Sequence, residues 1–265
     1  MKAQRLKGQT AVITGASSGI GRHMARECAA DGANVILIAR STDKLERLKK
    51  EILMQFSVKV EVHTLDIGNF PAVKDCFETI KLDHPVIDIL INNAGFGIFD
   101  WFAESKVEDI EEMFRVNVLG LMTVTRMLLP KMLQQGKGHI INIASIAGKL
   151  ATPKSSVYSA TKHAVLGFTN GLRMELAGTG VRVTAVNPGP IETNFFKVAD
   201  KDGHYVSKVK RWMLDPELVA KRVVATIGTS KREINLPWSM GAGVKLYHLM
   251  PGFFERFIGP FINQK

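Results

Sequence analysis

Two side chains spaced for proton transfer stand in the segment Tyr158-Ser159-Ala160-Thr161-Lys162. Residues four apart project from one face of a helix, so a phenol and an ammonium would lie side by side. A free tyrosine has a pKa of about 10, too high for rapid exchange near neutrality, and a neighbouring cation favours the phenolate. Such a pair can protonate an oxygen on which negative charge develops, and take the proton back in reverse. Ser145 follows the apolar run at 139–143. Its hydroxyl can hold and polarise the same oxygen. Taken singly, each residue has an ordinary reading: a helix Tyr or Lys as packing or surface, a Ser after a strand as a helix cap. Together they point to interconversion of a carbonyl and an alcohol. The seven histidines show no ligand spacing, so no catalytic metal is expected.

A hydride source is implied by a second cluster. The first strand-like run ends in Thr14-Gly15-Ala16-Ser17-Ser18-Gly19-Ile20-Gly21, and a helical pattern starts at once. Gly15 permits a tight turn, Gly19 leaves room for a pyrophosphate, and Gly21 lets the helix pack closely on the strands. The free amides of a helix N-terminus, at Ser18, Gly19 and Ile20, favour phosphate. The next strand ends in Ala39-Arg40-Ser41. An acid at residue 39 would grip a ribose 2′-hydroxyl, whereas Arg40 offers a fork for a 2′-phosphate, with Ser17 and Ser41 as further donors. NADP(H) is therefore the expected cofactor.

These groups need a frame. Runs rich in Val and Ile recur at residues 10–13, 34–39, 58–64, 87–91, 139–143, 181–186 and 233–236. Amphipathic segments such as 20–30, 43–54 and 72–81 separate them. Continuous apolar strands alternating with helices predict an α/β fold: one doubly wound, Rossmann-type domain of about seven parallel strands, helices on both faces. Longer helices are expected at 107–133, with Gly120 inside and Pro130 near its end, and at 157–176.

In this order the motifs resemble those of the short-chain dehydrogenase/reductase family, from about residue 9 to 193. The G-x-x-x-G-x-G spacing, Asp66 after the third strand, Asn92-Asn93-Ala94-Gly95 after the fourth, Asn117, Ser145, Tyr158, Lys162, Asn187-Pro188-Gly189 and Thr193 all match. The resemblance implies a catalytic set of Asn117, Ser145, Tyr158 and Lys162. It implies Asp66 near the adenine, and Asn93, Ala94, Gly95, Pro188, Gly189 and Thr193 around the cofactor. Lys162 would also bind the nicotinamide ribose, and Asn117 a water linking Lys162 to solvent. The two long helices would form a homodimer or homotetramer. An alternative is a catalytically silent NADP(H)-binding sensor or partner-binding protein.

Substrate walls are expected at 96–99, 146–150 and from Gly189 to about Met213. They offer Phe99, Trp101, Leu150, Phe195, Phe196 and Trp212, which suits an apolar carbonyl or alcohol; Lys149 is either an anion contact or simply exposed. The chain has 265 residues and a net charge of +10. Its basic residues are scattered, which fits a solvated surface that attracts anionic cofactors rather than nucleic acid. Cys28 and Cys76 have no C-x-x-C spacing and read as buried reduced thiols of a cytoplasmic protein. No run of about 18 uncharged apolar residues predicts a membrane span. The catalytic domain is expected over 1–237 and an apolar tail over 238–265. In the tail Phe253, Phe254, Phe257, Ile258, Phe261 and Ile262 form a stripe of helical period. That stripe suits a lid over the cleft, a subunit contact or a peripheral membrane contact.

Overall fold

The computed structural model describes residues 4–200, 202–252 and 256. Seven parallel strands form one sheet in the order β3-β2-β1-β4-β5-β6-β7. They are β1 (Thr10–Thr14), β2 (Asn34–Ala39), β3 (Val60–Thr64), β4 (Ile89–Asn92), β5 (Gly138–Ile143), β6 (Val181–Pro188) and β7 (Glu233–Leu236). Every residue of β1 and β4 is buried, as a sheet covered on both faces requires.

Alternation along the strands feeds two cores. Ala11, Ile13, Val35 and Leu37 face one layer with Met24, Leu45, Leu48 and Val219. That layer is α1 (Gly19–Ala30), α2 (Thr42–Gln55) and α9 (Pro216–Val224). Val12, Ile36 and Ile38 face the other with Phe77, Val124, Leu128 and Leu172. Those residues come from α3 (Phe70–Asp83), α5 (Leu121–Gln135) and α6 (Ser156–Glu175). In α2 the buried residues are Leu45, Leu48 and Ile52, a helical stripe on an otherwise charged segment. Asn69 starts α3 by accepting the amide of Ala72 at 3.2 Å.

The first long helix is not continuous. It runs as α4 (Val107–Phe114), a π-helical segment Arg115–Gly120, then α5. Gly120 is required there, because a Cβ would lie 2.7 Å from the Ile67 carbonyl oxygen. By length and hydropathy the run Val107–Gln135 matches a membrane span, yet half of its apolar window is buried in the fold. Beyond β6 come the short α7 (Phe195–Ala199) and α8 (His204–Val209), and after β7 comes α10 (Trp238–Leu249). Cys28 is buried, but Cys76 is only half-buried, and both are free thiols. The stripe residues Phe253, Phe254, Phe257, Ile258, Phe261 and Ile262 lie outside the described residues.

Strand order reverses between β1 and β4, with connections leaving in opposite directions. In open α/β sheets ligands bind at the strands' carboxyl ends beside that point. The glycine turn, Arg40, Asp66, Asn93, Ser145 and Gly189 all follow strand ends on this edge.

Candidate active site

At the switch point the turn after β1 is tied to the end of β4. Thr14 Oγ1 accepts the amides of Asn93 at 3.0 Å and Ala94 at 3.1 Å. Asn93 Nδ2 donates to the carbonyls of Thr14 at 3.0 Å and Gly15 at 3.1 Å. Gly15 has φ +65°, and a Cβ there would stand 2.7 Å from Asn93 Nδ2. Gly21 cannot carry a side chain either, since its Cβ would run into the Gly15 carbonyl oxygen. Gly19, with φ +53°, meets only Thr193, at 3.5 Å. Its backbone is thus open to a ligand. Ser18 caps α1 without a side-chain hydrogen bond, leaving the first amides of the helix to an anion.

A cavity of about 1070 Å³ runs from this turn to the opposite side of the sheet edge. Gly15, Ser17, Ser18, Gly19, Ile20, Arg40, Ser41, Asp66, Asn93, Ala94, Gly95, Ser145, Tyr158, Lys162, Pro188, Gly189 and Thr193 line it. Of the expected catalytic and cofactor-binding residues only Gly21 and Asn117 do not. Gly21 works from behind, by letting α1 approach the turn. Arg40 is well exposed, with Nη1 3.9 Å from Asp66 Oδ2. That is longer than a hydrogen bond and leaves the fork accessible. Lys44 lines the same end. Sequence reasoning missed it, although its place four residues after Arg40, in the first turn of α2, was the available signal. Thr14 was likewise quoted only as part of the turn.

Ser145, Tyr158 and Lys162 line the cavity together. Ser145 closes β5 and caps the 3-10 turn Ile146–Gly148 by accepting the Ala147 amide at 3.0 Å; its Oγ donates to the Pro188 carbonyl at 3.3 Å. It is both a cap and a cavity residue. Tyr158 and Lys162 lie on α6, both buried. Lys162 Nζ donates to the Ile143 carbonyl at 2.9 Å and stands 5.8 Å from the Tyr158 ring centroid. Burial lowers its pKa to about 8. Burial pushes the Tyr158 phenol up, opposed by the hydrogen bond with the Ser145 hydroxyl. Desolvation outweighs what its neighbours supply.

Asn117 sits in the π-helical segment, a device common at functional sites. Its Oδ1 accepts the Phe96 amide at 3.0 Å, and Nδ2 donates to the Phe96 carbonyl at 2.8 Å and Thr161 Oγ1 at 3.1 Å. It clamps the loop after β4. A point beside Gly95, where a Cβ would stand, is 2.9 Å from Asn117 Oδ1 and 3.7 Å from Lys162 Nζ.

Beyond Tyr158 the cavity turns aromatic. Phe99 makes edge contacts with Tyr158 at 5.8 Å, Phe195 at 6.3 Å and Tyr205 at 5.4 Å between ring centroids. Gly97 permits this, since a Cβ there would press on Tyr158 Cδ2 at 2.9 Å. Leu150, Phe196 and Trp212 join the wall as expected, and Met240 of α10 is a wall residue missed by sequence. Two expectations fail. Trp101 is not in the wall; it sits half-exposed under the ammonium of Lys154, 5.7 Å from its centroid. Lys149 neither faces the cavity nor lies free, because its Nζ pairs with Glu233 at 2.7 and 2.8 Å.

A parallel sheet with a glycine turn at its switch point and a Ser, Tyr and Lys on one cavity defines a dinucleotide-dependent oxidoreductase architecture. Residues 9–203 match the family model for short chain dehydrogenases, and the chain belongs to that family. It is 43% identical over 188 residues to an uncharacterized oxidoreductase of Staphylococcus saprophyticus, spanning 71% of this chain and 80% of the relative. It is 39% identical over 193 residues to an NADP-dependent 3-hydroxy acid dehydrogenase of Schizosaccharomyces pombe, spanning 72% and 74%. A short chain dehydrogenase/reductase from Burkholderia phymatum, solved in complex with NAD, is similar at a TM-score of 0.86 and 27% identity, covering 94% and 96%.

Proposed function

We propose that this protein is an NADPH-dependent oxidoreductase that interconverts a carbonyl and an alcohol on an apolar substrate. One observation carries the reading: a single cavity joins the glycine turn and Arg40 to Ser145, Tyr158 and Lys162. A nicotinamide cofactor supplies the hydride when bound. The residues fit such a group, because Gly15 and Gly21 fill with backbone the space a Cβ would take, while Gly19 keeps its outer side clear. The amides at Ser18 to Ile20 would hold the pyrophosphate, and Arg40, Ser41, Ser17 and Lys44 the 2′-phosphate. Ala39 in place of an acid removes the repulsion that group would meet.

Ser145 Oγ orients the substrate oxygen, and Tyr158 donates the proton to it. Burial keeps the phenol protonated through the neutral range, which is the form a reduction needs. Lys162, cationic below about pH 8, stabilises the phenolate left behind and returns a proton to it. Asn117 Oδ1 retains a second lone pair that can orient a water toward Lys162. Phe99, Phe195 and Tyr205 exclude bulk water from the transfer. A silent cofactor sensor would have no use for a buried Tyr–Lys pair opening on the cavity.

The exposed residues Leu119 and Leu133, and Met174 on α6, suit a homodimer or homotetramer. Trp238, Leu246 and Leu249 of α10 are exposed and, beside Lys245, suit a peripheral contact with an anionic membrane. Free thiols fit a reducing, cytoplasmic setting. The test is loss of NADPH absorbance over a panel of ketones, aldehydes and quinones. Turnover of at least one carbonyl supports the proposal; cofactor binding with no turnover on any of them contradicts it.

A further inference from the structure

The cavity has charge at both ends but not in its aromatic wall. Arg40, Lys44 and Asp66 belong to the ends of β2 and β3 and the first turn of α2, on the cofactor side. Lys162 lies on α6, its Nζ bonded to a main-chain carbonyl. The other charged lining residue is Lys208, on α8. No acid lines the aromatic end with it. Asp200 and Asp202 line an adjoining, smaller recess that shares Phe99, Val198 and Tyr205 with the cavity, and Asp200 Oδ2 accepts the Val206 amide at 2.8 Å. Among the described residues Lys208 forms no ion pair. The sequence from 195 to 212 is basic, with Lys197, Lys201, Lys208, Lys210 and Arg211 but only two acids.

The wall sets where this ammonium stands relative to the reacting carbonyl. From Tyr158 one ring step of 5.8 Å reaches Phe99 and another of 5.4 Å reaches Tyr205. Lys208 follows Tyr205 by three residues on the same short helix, hence on the same side. The rings along it pack on one another, with Phe196 5.5 Å from Tyr205. A small polar keto acid would place its carboxylate against rings. A longer molecule would lay its chain along them and bring its far end to the cation.

We infer that Lys208 selects amphipathic substrates: an apolar chain bearing the carbonyl or alcohol near Tyr158 and an anionic group, carboxylate or phosphate ester, at its distal end. This rests on the proposed oxidoreductase reading and narrows its substrate class. The net charge of +10 would draw such anions toward the cavity.

Binding and turnover test it separately. With NADPH present, decanoate, decyl phosphate and methyl decanoate are titrated against the full chain by tryptophan fluorescence. An ammonium at a partly exposed site gives the anions an advantage of about fivefold to tenfold over the neutral ester. Lys208→Met should reduce that ratio to within about twofold, and Lys208→Arg should keep it. Tighter binding of decyl phosphate than of decanoate would assign the phosphate ester; the reverse would assign the carboxylate. The kcat/KM ratio of 9-oxodecanoate to its methyl ester should follow the same pattern. Equal binding of acid and ester to the wild type, or an anion preference that survives Lys208→Met, overturns the inference. Lys208-dependent anion binding with no reduction of either oxo compound would leave the anion site standing and count against the oxidoreductase reading instead.

Discussion

At the residue scale the environment of Tyr158 and Lys162 sets a dependence on pH. Burial brings Lys162 to about 8, so it is cationic below that value and neutral above it. In the proposed mechanism reduction uses the cation, so kcat/KM for carbonyl reduction should be flat toward neutrality. It should fall about tenfold per pH unit once pH rises past about 8. Lys162→Arg should move that limb to higher pH, because a guanidinium stays charged; a limb unchanged by the substitution would assign it to another group. Cofactor choice is the second residue-scale claim. Ala39→Asp combined with Arg40→Ala should shift the NADPH to NADH preference in kcat/KM by about tenfold to a hundredfold toward NADH. Equal use of both cofactors by the wild type would defeat it. Residue types and spacing make both clusters legible in the sequence. Three-dimensional pairing is not: Lys149 reads as an anion contact or an exposed lysine until β7 brings Glu233 to it, and Trp101 reads as a wall until Lys154 covers its ring.

At the scale of elements, the turn between β1 and α1 is the most constrained. Gly21→Ala places a methyl against the Gly15 carbonyl oxygen and close to Asn93 Nδ2. Overpacking against backbone costs about 1–3 kcal/mol, and α1 must shift away from the turn that would hold the pyrophosphate. The melting temperature should drop, and NADPH affinity should fall more than the affinity for substrate analogues. An unchanged melting temperature and cofactor affinity would show that the helix approach matters less than the geometry implies. All seven strands were legible, because apolar β-branched runs bounded by turn residues have few other readings. The π-helical segment was not. Nothing in Arg115-Val116-Asn117-Val118-Leu119-Gly120 breaks a helical pattern; the widened turn goes with the clamp of Asn117 on Phe96 and the approach of Gly120 to Ile67.

At the scale of the whole molecule, the fold gathers groups more than a hundred residues apart onto one sheet edge. The last described helix is part of that edge. Met240 would collide with any side chain at Gly189, its Sδ 2.6 Å from where a Cβ would stand, and a Cβ at Gly241 would stand 2.8 Å from Asn235 Cβ. Truncation after Pro237 removes this cover. It should lower the melting temperature, raise light scattering and weaken kcat/KM for apolar carbonyls, while NADPH binding at the glycine turn persists. Unchanged values would show that α10 and the residues after it are dispensable. The tail was legible as apolar, with a lid over the cleft among its readings, but only folding puts Met240 beside Gly189. The central claim is that this single cavity couples a cofactor to proton donation by Tyr158. It is tested most directly by measuring NADPH binding and carbonyl-dependent NADPH oxidation for the wild type and Tyr158→Phe side by side. Tyr158→Phe should bind NADPH as the wild type does and lose about 10²–10⁴-fold in kcat, whereas near-full kcat in Tyr158→Phe on a confirmed carbonyl substrate would contradict the account.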